Sequence, residues 1–205
     1  MTSTTISRRE RILRTAEKMF ADHGFEAVGM REIASAAEVS VALLTYHFET
    51  KENLYQSIFA ERQSVLEARI EQLRAIPEHA PNRLELIIDA FVDEQMRIRA
   101  TPDGLAFARL LAREATDLSA ETRTILSGQY DPFAREFIAE LSKERPDLDP
   151  EVIPWHYLFA VGAISMSALD KRVSRLGGDP DIPVAEKSAI LKSFLLAAFR
   201  KDPSN

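Results

Sequence analysis

Apolar residues recur along the chain at spacings of three and four, and they almost never alternate one by one with polar residues. A spacing of three and four places side chains on one face of an α-helix, whereas alternation is typical of a β-strand. Glycine and proline fall mostly between the periodic segments, where helices end. The pattern therefore predicts an all-α protein.

The first periodic segment predicts a helix over about residues 8–23. Ile12, Ala16 and Phe20 fall on one stripe, and Gly24 stands where a C-terminal cap belongs. Residues 25–28 then form a short connection to the next helix.

Residues 30–48, MREIASAAEVSVALLTYHF, predict two short helices around a tight turn. Gly29 is an acceptable N-cap for the first helix, with Glu32 able to reach back to it, and Ser40 caps the second. This is a helix-turn-helix pattern, whose second helix fits the DNA major groove, about 12 Å wide. From the residues alone, a helical hairpin inside a core remains an equal alternative.

The segment after this pattern carries groups that bind phosphate. Thr50 predicts the cap of a long fourth helix beginning at Lys51. Thr45, Tyr46 and His47 precede the cap, and together with the lysine they offer hydroxyl, imidazole and ammonium groups. The first amides of the long helix add an anion site.

The rest of the chain predicts a larger helical part after a break at residues 77–81. An amphipathic helix covers residues 84–92, Thr101 to Gly104 form a turn, and Leu105 to Ala115 form a buried helix. Pro132 is expected to kink a later helix, and Asp149-Pro150 to start another.

Two broad apolar helices close the chain, and they suit either a core or a four-helix dimer interface. The pattern leaves both readings open. The interface candidates are Trp155, Phe159, Gly162, Met166, Leu191, Phe194, Leu195 and Ala198.

The distribution of charge limits the kind of DNA binding that the sequence supports. The net charge is −6; residues 1–60 hold seven Lys/Arg against eight Asp/Glu, and the remainder nineteen against twenty-four. This balance argues against a protein that coats nucleic acid indiscriminately. Positive charge is concentrated at Arg8, Arg9, Arg11 and Arg14, a run that by itself suits a solvated helix face.

Composition also bears on other classes of protein. The absence of cysteine excludes disulfides, thiolate zinc sites and cysteine nucleophiles. The four histidines are scattered, and no phosphate loop or nucleophile elbow occurs, so we predict no enzyme, catalytic residue, metal or cofactor. With no apolar run of about 18–20 residues and no signal-peptide core, we expect a cytoplasmic protein without a membrane segment.

The stretch from about Arg11 to Tyr55 resembles the DNA-binding domain of the TetR (tetracycline repressor) family. Its elements GF, REIA, VS and YHF followed by lysine match the family pattern within AEKMFADHGFEAVGMREIASAAEVSVALLTYHFETKENLY. The resemblance implies a three-helix helix-turn-helix domain at residues 1–55, joined by a long helix to a helical ligand-binding and dimerisation domain at residues 56–205. It implies a homodimeric repressor of double-stranded operator DNA.

The resemblance also assigns DNA contacts. It places Arg31 at the DNA backbone or a base edge and Ser40 at a phosphate. The full set of implied contact residues is Arg31, Ser40, Val41, Ala42, Thr45, Tyr46, His47 and Lys51. Because relatives often send their N-terminal arm to DNA, we further expect at least one of the four clustered arginines to contact it.

Three positions depart from the family pattern. Glu38 occupies the turn position usually held by glycine, so a positive φ there brings mild strain. Val41 replaces a polar residue, and Thr45 stands where tyrosine is common. The apolar surface suggests contacts with thymine methyl groups or readout of DNA shape.

The resemblance further implies a pocket for a hydrophobic inducer in the second domain. The candidates are Phe91, Gln95, Phe107, Arg109, Leu111, Arg113, Tyr130, Phe133, Phe137 and Phe159. Arg109 and Arg113 lie in an apolar helix and need a partner, either Glu114 or an anionic ligand. An architectural or cell-division DNA-binding protein of the same fold, with no inducer, is the alternative, and an activator role is also open.

Overall fold

A computed structural model describes residues 6–117, 124–169 and 172–200 of the chain. In these ranges every regular element is helical, as the periodicity predicted. The helices are α1 Arg8–His23, α2 Met30–Ala36, α3 Val41–Phe48, α4 Lys51–Ala60, α5 Gln63–Arg74, α6 Arg83–Ile98, α7 Pro102–Thr116, α8 Asp131–Glu144, α9 Ile153–Leu169 and α10 Val184–Phe199. A π-helical turn, Leu126–Tyr130, precedes α8, and a 3-10 turn, Val173–Leu176, precedes α10.

The caps of the N-terminal helices lie where the sequence predicted them. Gly24 ends α1 with a φ of 85°. The Glu32 carboxylate accepts a hydrogen bond from the Gly29 amide at 2.8 Å, and Ser40 Oγ accepts one from the Leu43 amide at 3.1 Å. Each side chain satisfies an amide that the first helical turn leaves without a backbone partner.

The prediction of one long helix from Lys51 is wrong. The helix is interrupted at Glu61 and Arg62, where the Arg62 amide donates to the Phe59 carbonyl three residues back. The Arg62 side chain donates to both carboxylate oxygens of Glu17 in α1 at 3.3 Å. The interruption thus coincides with an ion pair between α1 and the α4–α5 turn.

Two other helix starts differ from expectation. Thr101 to Gly104 is not a turn: Thr101 Oγ1 accepts from the Gly104 amide at 3.1 Å and caps α7. A Cβ on Gly104 would lie 1.8 Å from the Ile98 carbonyl oxygen, so the close approach of α6 and α7 requires glycine. At the other site, α9 begins at Ile153, after a turn held by the Asp149 carboxylate and the Glu151 amide.

Pro132 lies in the first turn of α8, directly after a π-helical turn, rather than inside a helix that it kinks. Proline has no amide hydrogen to donate to the preceding turn. Directly before it the backbone is π-helical, and the Asp131 amide donates to the Leu126 carbonyl. The distortion lies at the entrance to α8.

The helices enclose two hydrophobic clusters. The first gathers α1–α4 around Phe20, Tyr55 and Phe59 and continues into α7 through Phe107 and Leu110. The second lies among α5, α6, α8, α9 and α10, with many of its contacts around the Phe91 and Phe137 rings. The N-terminal helices therefore pack directly onto the rest of the chain. No helix in the described ranges is long and apolar enough to cross a membrane.

Candidate DNA-binding interface and effector pocket

Helix α3 is anchored on one side and open on the other. Leu44 and Phe48 are buried in the first cluster and fix its rotation. Val41, Ala42 and Thr45 are exposed on the opposite side. The helix therefore presents a short, mostly apolar face to solvent, the kind of face that contacts base edges in a groove.

The turn before α3 has the backbone that its sequence predicted. Glu38 has a φ of 53°, the left-handed conformation that glycine usually adopts. Arg11 donates to its carbonyl at 3.4 Å and links α1 to the turn. Glu49 also has a positive φ of 60°, which the sequence analysis missed. The signal was the single residue between the end of α3 and the Thr50 cap.

The phosphate candidates differ in how free they are. Tyr46 is 80% exposed, and its ring lies 5.4 Å from the half-buried His47 ring. Lys51 donates to the Phe25 carbonyl at 3.0 Å and lies 4.2 Å from that residue's ring centroid. Besides any role at phosphate, Lys51 holds the α1–α2 connection against the start of α4.

Most of the clustered arginines are engaged within the protein. Arg9 pairs with Glu61 at 2.6 Å, and Arg14 with Glu10 at 2.7 Å. Arg8 is exposed and makes no ion pair with any residue in the described ranges. Arg31, at the start of α2, is exposed as well.

Arg113 donates two hydrogen bonds to α1 and also lines a separate cavity of about 220 Å³ beside Phe20 and Tyr55. Its Nε donates to the Ala21 carbonyl at 2.6 Å and its Nη2 to the Asp22 carbonyl at 3.0 Å. These carbonyls lie in the last turn of α1, which has no helical donors and attracts a cation. Glu114, one of the two partners expected from the sequence, accepts from the Tyr55 hydroxyl at 2.9 Å. An anionic ligand for the arginines of α7 stays a prediction.

A narrow cavity of about 20 Å³ lies between α5, α6, α7 and the π-helical turn. Four of the ten pocket candidates line it: Gln95, Phe107, Leu111 and Tyr130. The rings of Phe91, Phe133 and Phe137 lie in the second core, because they stack on one another. Arg109 is half-buried outside the lining.

Phe159 does not belong to this cavity. It is 68% exposed on the outer face of α9, because Ala160 and Ile164 turn the other face inward. Phe159 was expected both in the effector pocket and in the dimer interface, and its exposed position suits only the interface.

The two charged residues of the cavity lining, Arg62 and Arg69, are among the six lining residues that escaped the sequence analysis. Arg69 is only 3% exposed, and burial lowers its pKa to about 10. The same burial raises the pKa of the Tyr130 hydroxyl well above its usual range. The missed signal was helical spacing, since Arg69 shares the apolar stripe of Leu66 and Leu73.

The outer faces of α9 and α10 expose large apolar side chains. Trp155 and Phe159 lie with ring centroids 6.3 Å apart, and Phe194 is 61% exposed on α10. Gly162, with no heavy atom within 4 Å of a built Cβ, leaves room on this face. Met166 and Ala198 are also exposed.

Two interface candidates point elsewhere, and two residues were missed. Leu195 is 2% exposed and packs in the core of its own chain, which corrects its assignment, and Leu191 is half-buried. Leu158 and Ile190 are exposed on these helices. The apolar pattern of both helices runs nearly all round, so the sequence did not separate their faces.

Two family models match the chain. "Tetracyclin repressor-like, C-terminal domain" covers residues 89–198, and "Bacterial regulatory proteins, tetR family" covers residues 12–58.

Several known proteins are similar to this chain in sequence or in fold. The transcriptional repressor KstR2 of Mycolicibacterium smegmatis is 28% identical over 156 residues, 74% of each chain. The transcriptional activator FasR of the same species is 34% identical over 86 residues, 42% of this chain and 39% of FasR, so the match spans less than half of that relative. The solved structure of the ketosteroid regulator KstR2 of Mycobacterium tuberculosis has a TM-score of 0.69 at 21% identity, covering 98% of this chain and 99% of that one.

Proposed function

The chain belongs to the TetR family and is a transcriptional regulator, and from this premise we propose that it is a homodimeric repressor released from its operator by a hydrophobic small molecule. The observation that carries the DNA-binding part is the exposed face of α3 above its buried anchors. Regulators of this family are DNA-binding proteins rather than enzymes.

On this proposal, residues 1–55 form the DNA-binding domain and residues 56–205 the regulatory one. Val41, Ala42 and Thr45 face the bases, while Ser40, Tyr46 and His47 contact phosphates. Arg31 and Lys51 flank this surface. Because the base-facing side chains carry few hydrogen-bonding groups, thymine methyl contacts and DNA shape supply much of the specificity.

The dimer is proposed to form through the outer faces of α9 and α10. A contiguous exposed apolar surface on a monomer marks an interaction site, and two helices from each copy form a four-helix contact. The two heads then read two half-sites related by the same two-fold axis.

An inducer acts only if it binds one arrangement of the heads better than the other. The head contacts the body through α7, by way of Arg113 and Glu114, and through the Arg62–Glu17 pair. We propose that inducer binding shifts these contacts and spreads the heads.

A gel shift against the DNA upstream of the chain's own gene tests this function. We expect binding at one or a few promoter sites that weakens steeply between about 50 and 200 mM salt, since phosphate contacts release counterions. A salt-independent affinity would contradict phosphate-dominated contact. Many dispersed sites in a genome-wide profile would favour the architectural alternative, and activation of a reporter would contradict repression.

A further inference from the structure

The charge on Arg69 is buried beside the cavity without an acidic partner. Nη2 donates to the Phe91 carbonyl at 2.9 Å, and the Gln95 amide oxygen, turned toward the guanidinium, accepts from Nη1 at 3.0 Å and Nη2 at 3.1 Å. The Phe133 ring centroid lies 4.2 Å from the guanidinium carbon. These partners are neutral, so they orient the cation without balancing its charge.

Two other buried arginines have acidic partners, whereas the half-buried Arg99, like Arg69, donates only to neutral groups in the described ranges. Arg83 pairs with Glu140 and Glu144, and Arg145 pairs with Asp147. In the described ranges no carboxylate lies within 4 Å of Arg69, and its Nε has no hydrogen-bond partner. A buried charge is normally paired, and arginine does not lose its proton at neutral pH.

The nearby acids are already committed. Glu94, which exerts a weak electrostatic effect on Arg69, is bound by the Arg97 side chain, and this contact lowers the pKa of Glu94. Glu17 is bound by Arg62. Neither of these two carboxylates is therefore available to balance the charge of Arg69.

The cavity next to Arg69 has both polar and apolar lining residues. Gln95 and Tyr130 accompany the arginine, while Leu66, Phe107 and Leu111 form the apolar walls. At about 20 Å³ the closed cavity has room on the order of one water molecule. A larger occupant requires a wall to move, and the π-helical turn that carries Tyr130 is a kind of element found at functional sites.

We propose that this cavity binds the carboxylate of an otherwise apolar small molecule, with Arg69 as its ion-pair partner and the apolar part along Phe107 and Leu111. The inference rests on the proposed function, because it names the chemical class of the effector. Arg and a carboxylate form paired, charge-assisted hydrogen bonds, which the forked guanidinium favours. The unbonded Nε supplies a donor for such a pair.

The position of the cavity connects it to the DNA-binding head. Arg62 also lines it, and the Arg62 guanidinium carbon lies 5.2 Å from the Phe107 ring centroid while its side chain holds Glu17 of α1. A ligand whose apolar part lies along Phe107 would therefore touch the arginine that holds Glu17. Release of Glu17 would loosen α1 from the α4–α5 turn.

The test titrates the full-length protein with octanoate, 1-octanol and octylamine, which share a chain length and differ in charge. Calorimetry measures binding, and the gel shift measures operator release. We expect octanoate to bind at least about tenfold more tightly than octanol, which corresponds to about 1.4 kcal/mol, and octylamine not to bind. Equal affinities for octanoate and octanol would overturn the proposal, and this comparison needs no variant.

Two variants test whether the preference for octanoate depends on Arg69. Arg69→Met removes the charge and should abolish the preference for octanoate, with folding checked by circular dichroism. Arg109→Met is the matched control, since Arg109 is half-buried with an unpartnered Nε but lies outside the lining. An Arg69→Met protein that keeps the octanoate preference would also overturn the site.

The two hypotheses fail separately. If the wild-type protein binds operator DNA but octanoate and octanol bind alike, the carboxylate site is wrong and the repressor function stands. If no operator is bound at all, the repressor function is wrong, while the calorimetry still decides the site.

Discussion

The DNA-binding head and the helical body of this chain reach their structures by different means. In the head, α1, α3 and α4 each begin at a side chain that caps an amide within its own first turn, namely Ser7, Ser40 and Thr50. In the body, α5, α6, α8 and α10 begin without a side-chain cap. Helix α7 of the body is an exception, because Thr101 caps it, so side-chain capping is more frequent in the head than in the body.

Charge also distinguishes the two regions. The head's ion pairs, such as Arg9–Glu61 and Arg14–Glu10, are largely exposed and contribute little to stability. The body buries Arg69, Arg83 and Arg145 among its helices. The head leaves one helix face free for a partner, while the body hides polar groups whose partners decide its packing.

The substitution with the largest expected effect targets the exposed apolar face of α9 and α10 in the body. Phe194→Asp places a carboxylate in the proposed dimer contact, and loss of the second head removes avidity worth at least about 100-fold in operator affinity. Light scattering should report a monomer. Gln72→Asp, on the exposed side of α5 and outside the proposed contact, is the control and should stay dimeric. A dimeric Phe194→Asp protein would remove α10 from the interface.

A second test weakens the junction between the two regions. Tyr55→Phe deletes the hydroxyl that donates to the buried Glu114, so we expect the free energy of unfolding to fall by about 1–3 kcal/mol in urea denaturation. Tyr46→Phe makes the same change on the exposed head surface and should alter stability by less than about 0.5 kcal/mol. Equal effects of the two variants would mean that the Tyr55 bond adds nothing to stability.

A third test addresses the free face of the head. Tyr46→Ala removes an exposed ring and hydroxyl without disturbing the core, so stability should hold while operator affinity falls about tenfold, or about 1.4 kcal/mol. Because phosphate contacts are not sequence-specific, the loss should be similar for specific and unrelated DNA. Unchanged affinity in a gel shift would refute a phosphate role.

The smallest expected effect concerns the strained turn of the head. Glu38→Gly and Glu38→Ala both remove a charge, but only glycine relieves the left-handed backbone at φ 53°. We expect the glycine variant to be more stable than the alanine variant by about 1 kcal/mol. Thermal unfolding of both proteins checks this, and equal melting temperatures would show that the turn relaxes without cost.

Local signals predicted the head well. The residues that start and stop its helices act within one turn, so Gly24, Gly29 and Ser40 were sufficient to place α1, α2 and α3. The strained Glu38 was also foreseen, because the family resemblance places it at a turn position that is usually glycine. The break at Arg62 was not foreseen, since its partner Glu17 lies 45 residues away.

The candidate effector site was predicted only in part. Four predicted residues line one cavity: Gln95, Phe107, Leu111 and Tyr130. Arg69 was overlooked, because the sequence does not show whether a charged residue on an apolar helix stripe is buried or exposed. Arg113 was expected to need an acidic side chain or an anionic ligand. It donates to backbone carbonyls of α1, which no side-chain pattern reveals.

The sequence by itself determined the all-α class, the helix-turn-helix and the side chains that cap it, because periodicity and capping act over a few residues. Only the tertiary structure decided which face of α9 and α10 is open and which charge is buried without an acid. Leu195 and Phe194 are adjacent and equally apolar, yet one packs in the core and the other faces solvent. That choice depends on where α6 and α9 lie against α10, through contacts between residues distant in sequence.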